Sequence, residues 1–312
     1  MSREPERWTG ALIAVLLLAF ALRVLGLDRQ FLWWDEGLNV YLANQGLPAM
    51  FAEMRATHYT DPPAYNLVLG VWRVLAGNSP YAIRFFSALP GVATVALTWV
   101  IGRWLTDRKS ALLGVLFTAL APMQVHYARE AKGYAFATAF ALVSVYAWGR
   151  RLGYAHVGFA EPSYSKGRFK TPIGWCIYVL STVVTVGTHY YLVLLLVWQG
   201  LWVAGSGVLA LRGHARRAAL KRVGRWSLAA AGIALPFVPW TLVTFDSTLY
   251  GVKGVSVAEP LSLFEYLGRV LGAFGAGPGA EGAVALIGGC AIALLIGIGT
   301  PGKLSRARVE AL

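Results

Sequence analysis

The sequence predicts an all-α membrane protein that crosses a bilayer about eight times. Three observations predict it. Hydrophobic residues make up 57% of the 312 residues and charged residues only 14%, with a mean hydropathy of +0.55. A soluble domain is about half apolar and about a quarter charged. Apolar runs close to the ~20 residues that span hydrocarbon recur along the whole chain. Basic residues gather in alternate connections between those runs. This composition excludes an ordinary soluble enzyme, a disordered chain and a disulfide scaffold. Cys176 and Cys290 both fall in apolar runs and read as small core residues. The net charge of +13 is explained by cytoplasmic loops rather than by nucleic acid, since no basic patch is interleaved with base-stacking aromatics in a soluble segment.

The expected spans are 8–27, 82–105, 110–124, 133–150, 173–188, 190–211, 226–245 and 282–300. The first is too long for a signal-peptide core, and no small-x-small cleavage site precedes Asp28 and Arg29. The run 64–76 is apolar but short, and Arg73 interrupts it; such a run reads as interfacial or re-entrant. Charge supports that reading. If 64–76 does not span, one set of connections carries 19 of the 28 basic residues, which places both termini and those connections inside. If it did span, every later basic connection would face outward. The segments 28–81, 125–132, the turn at His189 and 246–281 then face out, and long loops of this kind tend to be functional. The stretch 149–171 reads as a cytoplasmic linker. The whole of 1–312 is expected to be one integral membrane domain, with a core over about 8–245 and a remainder of outer loop, last span and tail over 246–312.

The candidate chemistry falls on the outer side. Asp35 and Glu36 follow Trp33 and Trp34 just beyond the first span. Tryptophan anchors at the headgroup level, so the acids are held at the edge of the hydrocarbon, where partial desolvation strengthens a carboxylate as a base. The plainer reading is a helix start, which Asp and Glu also favour. Further on, His58, Asp61 and Tyr65 surround Pro62 and Pro63. The prolines stiffen the chain, so the turn can bind a metal or orient a substrate, or it is an Asp-Pro turn alone. Between two later spans, His126, Tyr127, Arg129, Glu130, Lys132 and Tyr134 fall within nine residues. Ionisable groups are costly at a membrane boundary unless used. Arg129 and Lys132 suit a phosphate, and Glu130 suits an acceptor or a metal. His189, in Thr188-His189-Tyr190-Tyr191, is a lone interfacial histidine.

Taken in order, these motifs resemble the GT-C class of membrane glycosyltransferases. The resemblance is to the family 39 group that holds protein O-mannosyltransferases and the aminoarabinose transferase of lipid A modification. The matching pieces are Asp35-Glu36 after the first span, Pro62-Pro63-x-Tyr65, AIRFFSALPG from Ala82, YAREAKGYA from Tyr127, and His189. They cover about residues 8–200 and are specific as a set. The resemblance implies that 64–76 lies along the membrane. It implies a sugar donor linked to polyprenyl phosphate, and inverting transfer to a protein, lipid or glycan acceptor outside a cell (inner) membrane. Asp35 would act as base, with Glu36 and Glu130 as further catalytic acids. Arg129, Lys132 and Arg84 would hold the donor phosphate. His58, Asp61, Tyr65 and His189 would serve substrate or metal, a divalent ion being the expected cofactor. Two features depart from the group: Thr60-Asp61 stands where Glu-Lys is common in the aminoarabinose transferases, and the chain is shorter than usual. The short length keeps a second reading open, a non-catalytic scaffold or complex subunit with the same fold. A transporter is disfavoured by the absence of an inverted two-half symmetry.

Overall fold

The computed structural model describes residues 4–57, 59, 61–152, 172–211, 216–242, 244, 262, 264–266 and 268–270. The regular structure among them is helical: α1 Glu4–Val24, α2 Trp34–Asn44, α3 Leu47–Ala56, α4 Ala64–Ala76, α5 Pro80–Leu105, α6 Arg108–Leu120, α7 Pro122–Ala128, α8 Gly133–Leu152, α9 Pro172–Val186, α10 Val193–Leu211 and α11 Arg216–Ala234. The predicted span 282–300 and His58 lie outside the described residues.

Among the described residues, two helices are long and apolar enough to cross a membrane by themselves, Pro80–Leu105 and Tyr190–Val208. A third crossing is available if α6 and α7 act together, although they meet at a 56° bend. The sequence predicts a single run over 110–124. Pro122 breaks it, because a proline inside a helix removes one backbone hydrogen bond and clashes with the preceding turn. The run 226–245 is also interrupted. Its helix begins ten residues early at Arg216 and gives way at Leu235-Pro236 to a turn before 237–242. The predicted outer segment 28–81 contains three helices, α2 to α4.

Local chemistry sets the ends. Ser79 caps α5 by accepting from the Ala82 amide (3.2 Å), with Pro80 in the first turn. Asp107 caps α6 by accepting from the Lys109 and Ser110 amides (2.8 and 3.0 Å). Just beyond α1, Gly26 adopts a φ of 72°, where a side chain would be strained.

The long helices alternate in direction between two ends of the bundle. Arg84 and Ser87 begin α5 at one end, and Trp104 closes it at the other, edge-on to Tyr146 of α8 (5.6 Å). The guanidinium of Arg151 covers the ring of Trp175 at that second end (5.0 Å). Arg103, Arg108, Lys109 and Arg150 gather there too. The first end receives the C-termini of α1, α7 and α9 and the N-termini of α2, α5 and α8.

Where apolar solvent surrounds the helices, close packing and interhelical hydrogen bonds hold them together. Tyr178 donates to Gln199 Oε1 (2.8 Å), the Gln199 amide donates to Ser144 (3.3 Å), Ser144 and Thr182 hydroxyls pair (2.7 Å), and the Trp226 indole donates to Tyr178 (3.1 Å). That network joins α8, α9, α10 and α11. At the other seam, Ala43, Tyr65, Leu69, Ile83, Phe86, Ala131 and Phe136 form a core cluster under the first end.

Candidate active site

The site grows from one peptide turn. Between α7 and α8 the chain runs Arg129-Glu130-Ala131-Lys132. Three buried side chains grip it. Glu36 Oε1 accepts from the Ala131 amide (2.8 Å), Asn39 Nδ2 donates to the Ala131 carbonyl (3.0 Å), and Ser87 donates to the Lys132 carbonyl (3.2 Å). Tyr65 then bonds Ser87 (2.9 Å). Gly133 follows because a Cβ there would run into Thr188.

Glu36 is fully buried. Arg84 donates to both its oxygens (2.8 and 2.6 Å), and the Trp33 amide donates to Oε2 (3.1 Å). Arg84 also donates to the carbonyls of Leu27, Gln30 and Phe31 (2.7, 2.8 and 3.0 Å). Each guanidinium nitrogen is therefore engaged, and the connection from α1 to α2 is fixed. Arg129 donates to the carbonyls of Leu22 and Gly26 (2.9 and 3.3 Å), at the end of α1 where free carbonyls and the helix dipole favour a cation.

Asp35 points elsewhere. Its side chain is 39% exposed, and Oδ2 lies 2.7 Å from Lys132 Nζ. The ammonium also sits over the Trp33 ring (5.5 Å). Asp61 and His189 form a looser pair (3.8 Å). Burial pushes the Asp61 carboxyl upward from its usual range, against the pull of His189 and Lys132. Burial likewise raises Glu130, which the His126 ring 3.2 Å away pulls downward.

Two cavities flank the Trp33–Lys132 contact. One, of about 400 Å³, takes in Arg29, Trp33, Arg84, His126, Arg129 and Glu130. The other is small, and its walls include Tyr59, Asp61, Asn66, Lys132, Tyr134 and His189. Glu130 and His189 thus line neighbouring cavities rather than one. Among the described residues no three His, Cys, Asp or Glu side chains gather to hold a metal ion. Asp61 and His189 supply two such groups, fewer than a divalent cation takes from a dedicated protein site.

Residues 60–154 match the family model of dolichyl-phosphate-mannose-protein mannosyltransferases. The match spans roughly a third of the chain, from α4 to the end of α8, and so includes Asp61, Tyr65, Arg84, Arg129, Glu130 and Lys132. It supports a likeness to GT-C-type glycosyltransferases over that stretch. Asp35, Glu36 and His189 lie outside it. No curated protein matches the chain.

Sequence reasoning missed Asn39, Tyr59, Asn66 and Ser87. Asn39 and Asn66 carried a usable signal, since each is an amide within an apolar helix and such a group is costly to bury unless used.

Proposed function

We propose that the chain is a membrane glycosyltransferase that moves a sugar from a polyprenyl-phosphate-linked donor to an acceptor hydroxyl or phosphate, with inversion. The observation that carries this reading is the Asp35–Lys132 pair. It couples a part-exposed carboxylate to a cation on a turn whose peptide groups are clamped by Glu36, Asn39 and Ser87. The match over 60–154 supports the class.

In this reading Asp35 takes the proton from the acceptor. The acceptor oxygen forms a bond to the anomeric carbon, and the bond from that carbon to the phosphate oxygen breaks. The lipid phosphate leaves with the electron pair, and Lys132 and Arg129 balance its charge. A phosphate near Lys132 competes with Asp35 for the ammonium, which frees the carboxylate at the moment a base is needed. Glu36 and Arg84 act as positioning residues, since their hydrogen bonds are spent on each other and on backbone. Glu130 is the other carboxylate at the larger cavity.

The topology belongs to the same proposal: eight crossings, both termini on the side of the basic connections, and the Asp35 end facing outward. Turnover of a polyprenyl-phosphate mannose by the full chain in lipid vesicles tests the activity. The expected result is release of polyprenyl phosphate by wild type and loss of about 10²–10⁴ in rate for Asp35→Asn. No release by wild type, with or without acceptor candidates, would favour the scaffold reading.

A further inference from the structure

Arg23 is fully buried near the end of α1, and among the described residues no acid pairs with it. A cation inside a membrane is costly without a counter-ion, and such groups are kept for a task. The transfer reaction gives Arg23 none directly. Its Nη1 donates to the carbonyls of Ala19 and Ala119 (3.1 and 3.0 Å), and its Nη2 donates to the carbonyl of Thr118 (3.0 Å). Thr118 and Ala119 stand in the last turn of α6.

Those two carbonyls are the ones that the break in the helix sets free. In an unbroken helix the amide of residue 122 would bond Thr118, and the amide of residue 123 would bond Ala119. Pro122 has no amide hydrogen, and the axis turns by 56° there. The Ala121 amide still bonds the Phe117 carbonyl (2.8 Å), and across the break the Val125 amide bonds the Ala121 carbonyl (3.0 Å). Broken helices persist in a membrane only where neighbours satisfy the freed backbone. Arg23 does this from α1, and its charge suits the negative end of α6. Gly91 of α5 makes room for it. A Cβ there would run into Ala128 of α7 and stand 3.4 Å from Cδ and Nε of Arg23.

The segment α7 is thus tied to α1 at both ends. Arg23 holds the carbonyls before it, and Arg129, just after it, donates to the carbonyls of Leu22 and Gly26. We propose that Arg23 is a positioning residue: it sets the bend between α6 and α7, and so aims the turn that carries Arg129 and Lys132 at Asp35. The consequence for turnover rests on the transferase reading of the site. The proline removes a helix bond, and the bonds that replace it choose the angle. With seven residues, α7 is about 10 Å long, so a change of about 10° in the bend moves its far end by about 2 Å. A misplacement of about 1 Å costs on the order of 10² in rate where reacting groups must align.

The test uses the full chain in lipid nanodiscs, with Cys176 and Cys290 replaced by Ser. Nitroxides are placed at Lys109→Cys on α6 and His126→Cys on α7, both exposed positions. Pulsed EPR reads the distance between them, and turnover of polyprenyl-phosphate mannose is read on unlabelled protein. Arg23→Met should broaden the distance distribution and lower kcat about tenfold to hundredfold. Arg23→Lys keeps a cation that can donate to some of the carbonyls, and should fall between Arg23→Met and wild type. Adding Pro122→Ala to Arg23→Met returns an amide hydrogen to Thr118. That double variant should have an unfolding midpoint at or near the wild-type value, lengthen the distance by about 2 Å as the helix straightens, and stay slow. A wild-type distance distribution in Arg23→Met and Arg23→Lys would overturn the proposal. So would a double variant that regains turnover together with stability, since a purely stabilising residue behaves that way. Should Arg23→Met not fold, Arg23→Lys and the double variant carry the same comparison. A wild type that turns over no donor, while the distance still responds to Arg23, would fell the transferase reading and leave the bend assigned to Arg23.

Discussion

Lys132 Nζ lies 2.7 Å from Asp35 Oδ2, while the adjacent acid, Glu36, is turned the other way into a buried pair with Arg84. Two neighbouring carboxylates thus occupy opposite environments, one open to a ligand and one saturated. A helix start separates them: successive residues on a helix project about 100° apart, so only one of the two can face the core. The contrast makes their substitutions behave differently.

Glu36→Gln removes charge from a buried ion pair and leaves Arg84 without its counter-ion. Breaking one partner of such a pair costs about 3–5 kcal/mol. The expected outcome is a large loss of thermal stability in detergent, with any loss of activity following the loss of folded protein. Arg84→Met should do the same. Full stability in either variant would show that the pair does not hold α2 against α5.

Asp61 gives a pH dependence with a defined sign. Burial raises its folded pKa above the unfolded value. A group of this kind contributes stability that is fully present below the unfolded pKa, near 4, and is lost as pH rises through the folded pKa. Asp61→Asn should therefore gain stability relative to wild type as pH rises above about 4. Unfolding midpoints measured between pH 4 and 7.5 check this; a wild-type advantage that grows with pH would contradict it.

Gly133 tests the seam between α8 and α9. A Cβ added there meets Thr188 Cγ2, with Tyr65 next. Gly133→Ala should cost about 1–3 kcal/mol by overpacking. Thr188→Ser removes the offending methyl and keeps a hydroxyl for the bond to the Val184 carbonyl (2.7 Å). The double variant should recover most of the loss, and additive losses would place the strain elsewhere.

Arg129 has two tasks in this account, holding the end of α1 and facing the donor phosphate. Arg129→Ala should weaken donor binding about tenfold or more, since a charge-assisted contact is worth about 1.5–3 kcal/mol. Unchanged affinity for a polyprenyl-phosphate sugar would remove it from the phosphate site.

The helical class and most element positions were legible because apolar length and loop charge report directly on what each segment meets. The breaks at Pro122 and Pro236 were visible as residues, but a long apolar run hides how far a proline bends it. At the site, the sequence pointed to the acids and the cations by type and depth. Type and depth alone did not separate Asp35 from Glu36; the resemblance alone gave Asp35 the part of base, and which acid turns inward depends on Arg84, 48 positions away. Nor did it reveal Ser87 or Asn39, whose part is to hold one turn of backbone. On that turn they donate to carbonyls, and a carbonyl leaves no mark in a sequence.

The most direct test is the turnover of polyprenyl-phosphate mannose by purified wild type and Asp35→Asn, with folding of both checked by unfolding midpoint. The account predicts a folded variant whose rate has fallen by about 10²–10⁴. A folded Asp35→Asn protein that keeps the full wild-type rate would contradict it and move the base to another carboxylate, with Glu130 first.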